Sequence, residues 1–188
     1  MLAQLTVHPR RALGAAAARP RLAAGALAVA ATGLAFVALE LLAAAVGGQG
    51  SAAVVLSIAL PLMLAVFWLA SALLVSAGAR LMGHSPRRRE LLAVSGLTFP
   101  VLVVYAVIAL VQAVSPRWGG DVLSTAVGLV ALPVVGWFVA LNAIAVRAVY
   151  DMPALNAIAI ALLPYAALSA ALLLVVLVLS ALHSLGVV

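Results

Sequence analysis

The chain has 188 residues, 68% of them hydrophobic and only 7% charged, with a mean hydropathy of +1.35. A water-soluble domain carries about a quarter charged residues, so no aqueous fold could cover this much apolar surface, and lipid must solvate most of the chain. Cysteine is absent, which excludes disulfides, thiolate nucleophiles and Cys-based metal sites, and the formal charge of +6 comes from Arg placed between lipid-length runs, where orientation rather than nucleic acid explains it.

Residues 1–21 form a basic leader with Arg10, Arg11, Arg19 and Arg21, in which Pro9 and Pro20 mark helix starts. Leu2, Leu5 and Leu13 give residues 2–18 an apolar side, which suits a helix lying on the membrane face. A basic leader before an apolar run also fits a signal peptide, with Ala43-Ala44-Ala45 as its cleavage site. The apolar run of residues 22–46 far exceeds an h-region of roughly 7–15 residues, so an uncleaved first span is expected there.

Gly47 to Ser51 reads as a tight uncharged turn, followed by a second span over residues 52–79. The only strongly charged interruption comes next, from Arg80 to Glu90, and a third span follows over 91–114. Residues 115–121 read as a short polar turn, with Trp118 suited to the membrane interface. A fourth span covers 122–146. Arg147 to Pro153 is the next connector, where Asp151 is expected to N-cap a last span over 155–182. Each segment exceeds the roughly 20 residues that cross about 30 Å of hydrocarbon. The predicted fold is an all-α bundle of five transmembrane helices over residues 22–188.

Nine of the ten Arg fall on one side of this arrangement and Arg117 alone on the other. The positive-inside rule then puts the N-terminus and the Arg80 to Arg89 loop in the cytoplasm and Val188 outside.

With the spans placed, the chain resembles a bacterial member of the Ypt-interacting-protein (Yip) domain family of five-span membrane proteins. The resemblance covers nearly the whole chain. It is carried by Leu5-Thr6-Val7-His8-Pro9 and Ala18-Arg19-Pro20 in the leader, Ala79-Arg80-Leu81-Met82-Gly83 before the basic stretch, and Gly96-Leu97-Thr98-Phe99-Pro100 in the third span. Trp137, Arg147-Ala148-Val149-Tyr150 and Asn156-Ala157 complete it. It implies a multi-pass protein of a bacterial inner membrane, without a defined molecular activity.

Several residues are candidates for chemistry. Pro61, Pro100, Pro133 and Pro164 each fall about ten to twelve residues into a span, near mid-bilayer at 1.5 Å per residue. Each removes a backbone donor, so four kinks at one depth could outline a cavity like those of transporters, although Pro also shapes ordinary membrane helices. Glu40 is the only acid inside a span and is expected near the outer interface. Gln112 and Asn142 suit hydrogen bonds between helices. Trp68 and Trp137 need partners for their indole N–H groups, and the small-residue pairs Ala72/Ser76 and Gly136/Ala140 permit close helix approach.

Arg87, Arg88 and Arg89 are expected to attract anionic head groups at roughly 1 kcal/mol per charge, or to dock a membrane-protein partner or a second copy of the chain. Arg147 and Asp151, spaced i, i+4, can pair if their helix continues that far. His8 and His84 fall on the cytoplasmic side and His183 on the other, so the three cannot converge on one metal. No His or Lys lies in the membrane to activate a Ser, and no cofactor pattern is present. The expected function is non-enzymatic, through lateral contact with lipids or membrane partners; the alternative is a small transporter or channel subunit around the proline layer.

Overall fold

A computed structural model describes residues 5, 7–47, 51–114 and 116–184, and among them every regular element is helical. The leader contains α1 (Pro9–Ala18), followed by α2 (Leu22–Gly47) and α3 (Ser51–Leu81). The third span is α4 (Arg88–Gly96), a 3-10 turn (Phe99–Val101) and α5 (Leu102–Val114). The fourth and fifth spans are α6 (Pro116–Tyr150) and α7 (Ala154–Ser184). Five segments are thus long and apolar enough to cross a membrane. Helices are what this composition must form in lipid, even where Val and Ile recur, because only there does each segment satisfy its own backbone.

The boundaries differ from the expected ones where capping decides. The fourth span is 35 residues long, about 52 Å at 1.5 Å per residue. It absorbs most of the predicted turn at 115–121, starting on Pro116 at a position where a missing N–H is harmless, and it runs on through Arg147 to Tyr150. Asp151, expected to open the fifth span, instead closes the fourth. Its φ is +50°, and its N–H donates to the Arg147 carbonyl at 2.9 Å, the left-handed C-terminal cap that Asp tolerates. α3 stops by a related device: Gly83 has φ +85°, its N–H donates to Arg80 O, and His84 N–H donates to Ala79 O, both at 3.0 Å. That pair of bonds is a Schellman motif. The predicted turn at Gly48 to Gly50, Leu2, and the tail beyond residue 184 lie outside the described residues.

The four prolines do different things. α3, α6 and α7 continue through Pro61, Pro133 and Pro164, whereas at Pro100 the third span changes helix type. There Leu97, Thr98 and Val101 donate to carbonyls three residues back, and Thr98 Oγ1 donates to Ser95 O at 2.7 Å.

α4 lies at the centre, packed against α1, α2, α3 and α6. Its closest approach is to α2: a Cβ on Gly96 would come within 2.6 Å of the Gly25 carbonyl oxygen, and one on Gly25 within 2.7 Å of the Ala93 oxygen. Two turns on, a Cβ on Gly33 would meet Pro61 Cα of α3 at 2.8 Å. In lipid, helices gain nothing by hiding apolar surface from their solvent, so such backbone contact is what joins them. Ala72 and Ser76 are buried, as their spacing suggested, but Gly136 is exposed with open space around it.

Most of the core sits at the Arg-rich end, where Leu91, Val94, Leu141 and Val146 pack together. The leader joins it. Leu5 (1% exposed) and Leu13 (0%) are among the most buried side chains, so the apolar side of the leader meets α6 and α4 and not the lipid surface. A smaller cluster holds Val29, Trp68, Phe99 and Phe138, with the two Phe rings edge to face at 5.3 Å between centroids.

Replacing Gly25 or Gly96 by Ala is expected to lower stability by about 1–3 kcal/mol, because backbone atoms cannot give way as a side chain would. Gly136→Ala, on the open face, should be neutral or up to about 1 kcal/mol stabilising through helix propensity. Unfolding titrations in mixed detergent and SDS check both.

Candidate functional site

The charged loop that dominates the sequence is not a uniform cationic patch. Arg87 precedes α4, and its guanidinium donates to the Val149 carbonyl at 3.0 Å, while its backbone N–H points at Tyr150 Oη at 3.4 Å. Val149 and Tyr150 are the last residues of α6, where unpaired carbonyls and the negative end of the helix dipole favour a cation. Tyr150 in turn donates to Ser76 Oγ of α3 at 3.3 Å and meets the His84 ring edge-on at 6.2 Å. Arg87 thus ties α3, α4 and α6 together through Tyr150. Arg88 and Arg89, on the first turn of α4, are exposed.

Deeper in the bundle, Trp68 satisfies its indole N–H inside the protein. It donates to Leu92 O and to Ser95 Oγ, both at 3.2 Å. Beside it is a cavity of about 20 Å³, lined by Trp68, Ser71, Ser95, Asn142 and Pro164 among others. Ser71 Oγ is buried there without a hydrogen-bond partner. A space of this size and polarity suits one water. Asn142, expected to bond between helices, donates instead to Phe138 O of its own helix at 2.9 Å.

The other candidates do not converge on this cavity. Pro61 sits against Gly33, Pro100 in the 3-10 turn, and Pro133 on the exposed side of α6. Only Pro164 reaches the cavity wall. Glu40 is half-buried on α2. Gln112 lies against Gly128 of α6, where a Cβ would stand 2.9 Å from its Nε2. Trp137 faces the start of the leader beside His8 and Pro9. The Trp118 side chain lies outside the described ones. Among the described residues no three His, Asp or Glu gather as metal ligands.

One arrangement escaped sequence reasoning. The helix does continue past Arg147 as pairing with Asp151 requires, yet the two make no ion pair; both line an open groove together with Arg10 of the leader. Nothing in the spacing of Arg10 and Arg147 could show this, since it depends on the leader folding back over α6. The Gly25 and Gly33 contacts, by contrast, had a readable signal: two Gly eight residues apart lie on one helix face.

Arg87→Gln should cost about 1 kcal/mol, the low end for a bond from a charged donor because the group is exposed. Arg88→Gln and Arg89→Gln should stay within about 0.5 kcal/mol of the parent. Detergent-to-SDS unfolding midpoints of the three single variants make the comparison.

A family model described as the Yip1 domain matches residues 3–179. No curated protein and no solved structure matches the chain.

Proposed function

The chain belongs to the Yip1 domain family, and on that premise we propose that this multi-pass membrane protein is non-enzymatic and acts by lateral contact with other membrane proteins or copies of itself. Its Arg-rich end faces the cytoplasm of a bacterial cell, where Arg88 and Arg89 attract anionic head groups. The observation that carries this reading is the state of the last span. α7 packs mainly against α3 and α6 through its first half, while residues 166–181 are exposed without interruption. That stretch is about 24 Å of bare apolar helix, and its Leu, Val and Ala surface offers a partner helix a contact limited only by van der Waals fit.

The small size of the cavity favours this reading over a conduit. About 20 Å³ admits a water and no solute, and its walls are mainly apolar side chains. Arg87, bonded into the fold, is assigned to stability, leaving Arg88 and Arg89 as the freely presented charges of the triplet.

A photo-crosslinker at Leu173 or Leu177 in native membranes should capture a polypeptide, and Arg88→Gln with Arg89→Gln should reduce its recovery several-fold. Adducts with lipid alone at every position along 166–181 would overturn the reading. For orientation, a reporter active only outside the cytoplasm should work when fused after Val188 and be silent when inserted at His84.

A further inference from the structure

The leader helix does not close completely over the bundle. Between α1, the end of α6 and the start of α7 there is a groove of about 500 Å³, within the range of small-molecule sites, about 300–1,000 Å³. Its lining combines charged and apolar side chains. Arg147 and Asp151 line it at the Arg-rich end, and Arg10 lines it from the leader, whose start also faces Ile144. Ala140 and Ile144 of α6 and Ile158 of α7 also line it, and at 1.5 Å per residue Ala140 lies about 10 Å deeper than Arg147. The groove thus sets three charged side chains beside an apolar wall, the two surfaces that an amphiphile needs.

Among the described residues its charges have no side-chain partner. Among the described residues neither guanidinium makes a hydrogen bond or ion pair, and the Asp151 carboxylate makes none with Arg147 four residues away. Asp151 is held in place by backbone geometry, since its left-handed φ of +50° and its bond to Arg147 O fix the turn between α6 and α7. Two guanidinium groups suit the oxygens of one phosphodiester. A carboxylate on the same groove suits a cationic hydrogen-bond donor, which a primary ammonium supplies and a trimethylammonium does not.

We propose that this groove binds one phospholipid of the ethanolamine class. Its phosphate sits between Arg10 and Arg147, its ammonium faces Asp151, and an acyl chain runs over Ala140, Ile144 and Ile158. This rests on the membrane placement above, with the Arg-rich end at head-group level, and not on partner contact through residues 166–181. A failed crosslink at Leu173 therefore leaves it standing.

The test is native mass spectrometry of the purified full chain in detergent, titrated separately with phosphatidylethanolamine, phosphatidylglycerol and phosphatidylcholine, and with inorganic phosphate as competitor. One saturable phosphatidylethanolamine per chain is expected, at least fivefold preferred over the other two and undisturbed by phosphate. Arg10→Gln and Arg147→Gln should each weaken it about tenfold, and Asp151→Asn should abolish the preference over phosphatidylglycerol. Arg89→Gln should change nothing. Should an Arg variant fail to fold, Ile158→Trp at a half-open position decides by blocking the chain path with every charge kept; at least a fivefold loss is expected. Equal binding by the Arg10→Gln/Arg147→Gln double variant, equal binding of all three lipids, displacement by inorganic phosphate, or indifference to Ile158→Trp would overturn the assignment.

Discussion

The contact of Gly25 with Gly96 is the constraint on which the rest of this bundle is built. Lipid is as apolar as Leu, so side-chain burial does not by itself bring membrane helices together, and the surfaces must fit at close range. Two glycines facing each other let α2 and α4 meet backbone to backbone. With α4 fixed there, its carbonyl and Ser95 accept the Trp68 indole from α3, and Phe99 just beyond its end meets Phe138 of α6. Arg87 at its other end holds the α6 terminus. The first, second and fourth spans are thereby referenced to one short helix, itself ended by the proline that follows it, and α7 joins through α3 and α6.

That scheme divides the molecule into a packed half and a loose half. Buried side chains, hydrogen-bonded nodes and the docked leader concentrate at the Arg-rich end, and the far portion of α7 is exposed and largely apolar. Such a division matches a protein whose own fold is secured on one side while its opposite side remains free for neighbours.

The five spans were legible because crossing a bilayer imposes demands on length and polarity that any single sequence displays. Residues 22–46 and 155–182 were placed within two residues of α2 and α7. The ends of the fourth span were not, since an apolar count cannot detect that Pro116 starts a helix or that Asp151 adopts a left-handed cap. The leader shows the same division. Leu5 and Leu13 revealed an apolar side, but whether lipid or protein covers it depends on where α6 ends in space. The Arg triplet looked uniform on the page, and only the proximity of Val149 and Tyr150 separates Arg87 from Arg88 and Arg89. A shared depth for four prolines was readable as well, yet depth says nothing about azimuth: Pro133 points away from the cavity that Pro164 lines.

The docked leader also sets an order of events during biosynthesis. Its receptor is assembled from α4 and the far end of α6, segments that emerge from the ribosome long after Leu5 and Leu13 have done so. The leader can therefore seat only after four spans have been made, and its seating locks the third span to the fourth before the fifth is complete.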